Sequence, residues 1–131
     1  MDEVVAALRG VPLFADLGEK SLQAVAILAR ERTTNPDEVL ILEGERGDAF
    51  YVILDGTVRV EHGDRSVRSM TAGGFLGEIA LVEHGARTAT ATCVTPCRLL
   101  EIKRHEFERL INTMPEVHRR IRAAIERRAR D

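Results

Sequence analysis

Phe50-Tyr51-Val52-Ile53-Leu54-Asp55-Gly56-Thr57-Val58-Arg59-Val60-Glu61 is the stretch that decides the fold. Its first five residues form an apolar run rich in β-formers. Asp55-Gly56 between two apolar runs is a hairpin signal. After the turn, Val58 and Val60 alternate with Arg59 and Glu61, as in a strand with one buried face. Val39-Leu40-Ile41-Leu42 upstream and Leu99 to Ile102 downstream read as further strands, and Thr88 to Val94 alternates small polar and small apolar residues. Turn signals separate these runs at Asn35-Pro36-Asp37, at Gly44 through Gly47-Asp48, at His62-Gly63-Asp64 and at Gly73-Gly74. Strands recurring about every ten residues from Arg32 to Lys103 predict a mainly β fold, an antiparallel sandwich or jelly roll (double-stranded β-helix).

Helices flank the strands. Val4 to Leu8 predicts a short helix ended by Gly10 and Pro12. Glu19 to Arg30 is a better one, with Gly18 as its N-cap and Leu22, Val25, Ala26 and Ala29 on one stripe. Phe75 to Val82, opened by glycines, reads as one or two helical turns inserted between strands, with the short helix at 77–82. Phe107, Leu110, Ile111 and Met114 again keep helical spacing, and Pro115 suits the first position of a last helix. Val117, Ile121 and Ile125 give that helix a narrow apolar stripe. The expected organisation is one domain over 1–131: a helical segment at 1–31, the roll at 32–103 and terminal helices at 104–131.

Composition narrows the function. The chain has 131 residues, 44% apolar and 31% charged, enough for one core. A net charge of −2, 4% aromatics and no Trp argue against a nucleic-acid binder. No apolar run reaches the roughly 18 residues of a membrane span, and the acidic start Met1-Asp2-Glu3 is unlike a secretory leader. The expected compartment is the cytoplasm. Cys93 and Cys97 read as two buried free thiols, with a disulfide between them as the alternative, and two cysteines alone lack the other ligands of a metal site.

The chemistry concentrates between Gly73 and Ala91. This segment offers a glycine-led short helix, an acid (Glu78) in its first turn, and Arg87 nine positions later. A helix N-terminus presents N–H groups and partial positive charge to an anion. Arginine adds a planar fork that bonds phosphate oxygens in pairs. A carboxylate accepts from a ribose hydroxyl, and Gly77 permits close backbone approach. Taken singly, these residues have plain structural readings; their order and spacing fit a cyclic phosphodiester on a ribose.

Phe75-Leu76-Gly77-Glu78-Ile79-Ala80-Leu81 with Arg87-Thr88-Ala89-Thr90 resembles the phosphate-binding cassette of cyclic-nucleotide-binding domains. These occur in the catabolite activator protein, protein kinase A regulatory subunits and cyclic-nucleotide-gated channels. Glu43 to Val58 resembles that family's glycine-bearing turn and hairpin, and Val11-Pro12-Leu13-Phe14 its helical opening. The resemblance implies a non-catalytic sensor whose ligand is cAMP, or else cGMP, with no cofactor and no metal. It implies that Glu78 accepts from the ribose 2′-hydroxyl and that Arg87 pairs with the phosphate. Gly77, Ile79 and Ala80 then contribute backbone contacts, and Thr88 a hydroxyl. Val60 and Met70 are expected to flank the purine or else to serve as plain core. In the family the last helix closes over the base, which makes Arg119, Ile121, Arg122 and Ile125 candidates for lid contacts. The competing reading makes that helix an amphipathic packing element or a homodimer interface.

The chain also departs from the family pattern. Asp37 stands where glycine is common, a turn position Asp tolerates. Ala86 stands where proline is common, and His84 reads as a solvated loop residue. The chain ends at Asp131 without a helix-turn-helix unit, so no nucleic acid and no membrane partner is expected of it, and its partner would be an effector protein or domain. Other classes are a metal-dependent cupin, disfavoured by scattered His62, His84, His105 and His118, a ligand-free β-roll for protein contacts, and an excised piece of a larger regulator.

Overall fold

The computed structural model describes residues 2–63, 65–77, 87 and 89–130. The elements run α1 (Asp2–Arg9), α2 (Glu19–Leu28), β1 (Arg30–Thr34), β2 (Val39–Ile41), β3 (Ala49–Asp55), β4 (Val58–His62), β5 (Arg65–Met70), β6 (Phe75–Leu76), β7 (Thr90–Cys93), β8 (Cys97–Lys103), α3 (Arg104–Thr113) and α4 (Pro115–Arg130). The strands form two antiparallel four-stranded sheets, ordered β1-β8-β3-β6 and β2-β7-β4-β5. This is the expected β-roll with flanking helices.

The β3 run is apolar throughout because both of its faces are covered. Phe50 and Val52 turn outward onto the helices, while Ala49, Tyr51 and Ile53 turn inward between the sheets. β4 has one buried face. Val58 and Val60 point inward, and Arg59 and Glu61 form an ion pair at 2.7 Å. β8 divides as β3 does, with Leu100 and Ile102 outward and Cys97 and Leu99 inward.

Two apolar clusters result. The outer one joins α1, α2 and the Val11–Leu17 turns to β3, β8, Phe107 of α3, and Val117 and Ile121 of α4. The inner one fills the space between the sheets with Ile41, Ile53, Val58, Val60, Leu76, Ala91, Cys93, Cys97 and Leu99. Both cysteines are free and buried, and Cys93 Sγ lies 3.1 Å from the Thr34 hydroxyl. Asp37 adopts φ 71°, the left-handed turn conformation in which glycine is otherwise favoured.

Two boundaries differ from the sequence reading. The helix expected to reach Arg30 stops at Leu28, because Ala29 turns extended and Arg30 already pairs with Glu101. Phe75 and Leu76, expected to open a helix, form a short strand opposite Val52 and Tyr51. Backbone pairing to β3 overrides the local glycine-led signal. The helix expected at 77–82 lies outside the described residues, apart from Gly77.

Candidate anion site at Arg87

Arg87 leaves the chain where its backbone is clamped to the β2–β3 connection. Its N–H donates to Glu45 O at 2.7 Å, and its carbonyl accepts from Gly44 N at 2.9 Å. The guanidinium then runs inward and donates through Nη2 to the Ala49 carbonyl. Two glycines make its bed. A methyl group on Gly47 would lie 2.4 Å from Arg87 Nε, and one on Gly77 would lie 2.3 Å from Nη1. Gly77 also has φ 77°, so this position excludes a side chain on two counts.

The electrostatics around Arg87 combine burial with charges of both signs. The Arg87 guanidinium is partly buried, and burial pulls its pKa below the ordinary value. Tyr51 and Asp48 work in the opposite direction, while the Arg104 guanidinium adds to the lowering. Arginine stays charged regardless. Among the described residues its hydrogen bond goes to the neutral Ala49 carbonyl, and the acidic charge acting on it is that of Asp48.

A second arginine grips the same segment. Arg104, the first residue of α3, donates its backbone N–H to Asp48 O at 2.8 Å and its guanidinium to Gly47 O. Three consecutive carbonyls, of Gly47, Asp48 and Ala49, are thus held by Arg104, Arg104 and Arg87 in turn.

Of the residues expected to bind ligand, the structure joins Arg87 to Gly77. Val60 is buried in the inner cluster and Met70 packs partly buried against it, both facing the space between the sheets. Glu78, Ile79, Ala80 and Thr88 lie outside the described residues. The lid candidates are spread out. Ile121 is fully buried in the outer cluster, away from the inter-sheet space, because α4 needs it there beside Val117. Arg119 bonds to Glu116 one turn back, Arg122 is exposed, and the side chain of Ile125 is outside the description.

Gly47, Ala49 and Arg104 were not singled out from sequence as site residues. Gly47 carries only a turn signal, and Arg104 only a charge beside an amphipathic helix. Their proximity to Arg87 is tertiary. Among the described residues no group of three or more His, Cys, Asp or Glu is placed to hold a metal ion. No described helix is long and apolar enough to cross a membrane.

Similarity to known proteins places the chain in a family. The family model described as "Cyclic nucleotide-binding domain" matches residues 31–114, from β1 through α3. A cyclic nucleotide-gated potassium channel of Rhizobium etli is 36% identical over 119 residues, covering 90% of this chain and 33% of the channel. A cAMP-dependent protein kinase regulatory subunit of Yarrowia lipolytica is 32% identical over 106 residues, covering 79% of this chain and 28% of the subunit. The chain therefore spans a third or less of the length of these curated relatives. The crystal structure of the N-terminal domain of a Streptomyces coelicolor transcriptional regulator superposes with a TM-score of 0.85 at 30% identity, covering 95% of this chain and 90% of that one. On the fold, the glycine-lined arginine niche and the match from β1 to α3, this chain belongs to the cyclic nucleotide-binding domain family.

Proposed function

We propose that this chain is a regulatory module that binds cAMP in preference to cGMP and carries out no catalysis itself. The observation that carries the reading is the Arg87 guanidinium, partly buried between Gly47 and Gly77 and bonded to a neutral carbonyl. Such a cation gains most from a ligand that brings one delocalised negative charge on two oxygens, as a cyclic phosphate does. Glu78 accepts from the ribose 2′-hydroxyl, while Gly77, Ile79 and Ala80 supply backbone contacts and Thr88 a hydroxyl. The purine lies against Val60 and Met70, whose inner-cluster placement supports an apolar face for it. The cAMP preference rests on the Yarrowia relative, which is cAMP-dependent by name.

Occupancy passes to an effector protein or domain through α3 and α4. The shared 47–49 segment supports this, because the site arginine and the first residue of α3 hold adjacent carbonyls. Arg119, Arg122, Ile125 and, after rearrangement, Ile121 are the positions of α4 available to answer the ligand.

Calorimetry with cAMP and cGMP side by side tests the reading. Binding of both, tighter for cAMP, is expected. Glu78→Ala is expected to weaken cAMP more than its 2′-deoxy analogue, and equal losses would remove Glu78 from the ribose. If neither nucleotide binds, the chain is instead a β-roll that serves protein contacts alone.

A further inference from the structure

A line of polar side chains crosses the inner face of the first sheet, in a cluster that is otherwise apolar. Glu101 of β8 retains only 14% side-chain exposure and is met by Arg32 of β1 at 3.1 Å. Arg32 also reaches Glu38 at 2.7 Å. Directly opposite Glu101 in the β3–β8 register stands Tyr51, 5% exposed. On its other side Tyr51 faces Leu76, and the next residue is Gly77, on which Arg87 is seated. Ala49, whose carbonyl takes the guanidinium, is two residues before Tyr51 on the same face. Tyr51 therefore stands between the Arg32–Glu101 pair and the anion site.

Burial, and after it the Glu101 carboxylate, push the Tyr51 phenol above its ordinary pKa, with Arg32 opposing, so the hydroxyl is neutral at physiological pH. A neutral phenol has one O–H to donate and lone pairs to accept with. The carboxylate opposite is the natural acceptor for the O–H. With its O–H given to Glu101, the phenol oxygen keeps lone pairs with which to accept, and Arg87 is near enough for the two groups to act on each other electrostatically. Buried polar groups need partners, and the Tyr51 hydroxyl and the Glu101 carboxylate, the latter also held by Arg32, supply them to each other.

We propose that Tyr51, oriented by Glu101 and Arg32, is a positioning residue that fixes the Arg87 guanidinium for the ligand's phosphate. The inference rests on the reading of Arg87 as the phosphate partner. Gly47 and Gly77 confine the guanidinium and Ala49 O accepts from Nη2, and the Tyr51 hydroxyl as a second acceptor would fix its plane.

The test is a double-mutant cycle on the full chain, with cAMP affinity read by calorimetry and folding checked by thermal midpoint. Tyr51→Phe removes one oxygen and is expected to weaken cAMP about five-fold. The same change in an Arg87→Lys background is expected to have no effect, because lysine has no planar fork to position. Glu101→Gln keeps an acceptor for the phenol and should retain affinity, whereas Glu101→Leu should lose as much as Tyr51→Phe. An equal fractional loss in both Arg87 backgrounds, or none in either, overturns the positioning role while leaving the sensor reading intact. Failure of the unaltered protein to bind any cyclic nucleotide overturns both.

Discussion

The sheet β1-β8-β3-β6 shows one face to the helices and the other to its partner sheet, and the two spaces are filled differently. Outward, Phe14 packs edge-on to Phe50 at 5.8 Å between ring centroids and tilted on Phe107 at 5.9 Å, with aliphatic residues of four helices around them. Inward, the residues are smaller, with Ala49, Ala91, Cys93, Cys97 and valines beside Tyr51. The outer space has the large interlocking rings that give a core most of its stability. The inner one gives up part of that burial to the Tyr51 hydroxyl and the Arg32–Glu101 pair. With Arg87 read as the phosphate partner, the two faces of the same strands separate holding the fold from meeting a ligand.

Substitutions on the two faces test that division. Phe107→Ala, at a fully buried ring, should cost about 3–5 kcal/mol of unfolding free energy in urea, while folded protein keeps its nucleotide affinity. A parallel collapse of affinity would break the division. Arg87→Ala should do the reverse, losing about 2–5 kcal/mol of binding by calorimetry with little change in unfolding midpoint. Gly77→Ala should register on both scales. It should cost about 1–2 kcal/mol of stability from the left-handed backbone and weaken binding as well, because the new methyl takes the place of Arg87 Nη1. Arg9→Ala is the smallest change. Its exposed pair with Glu19 should leave both midpoint and affinity where they were.

The sheet was legible in the alternation of Val58 and Val60 with Arg59 and Glu61, and in the Asp55-Gly56 turn. Those signals are local, because a half-buried strand writes its period into consecutive residues. The β6 strand was not legible. Two residues carry no period, and the pairing of Phe75 and Leu76 to β3 is a long-range event. At the site, the order and spacing of Gly77, Glu78 and Arg87 pointed to a phosphate-binding chemistry, and of these the structure joins Gly77 to Arg87. The partners Gly47, Ala49 and Arg104 were hidden, since nothing in a turn glycine or a helix-opening arginine reports which carbonyl it will meet.

What the sequence by itself determined was the class of fold and, through its resemblance to the phosphate-binding cassette, the family. The first follows from apolar alternation and turn glycines at short spacings, and the second from an acid and a cation placed around a glycine as in that cassette. Only the tertiary structure decided that Arg87 rests on two glycines from different segments, that Arg104 shares its carbonyl ladder, and that Ile121 belongs to the outer core. Those contacts depend on which strands pair and in which register, and that is settled by burying both faces of β3 and β8 at once.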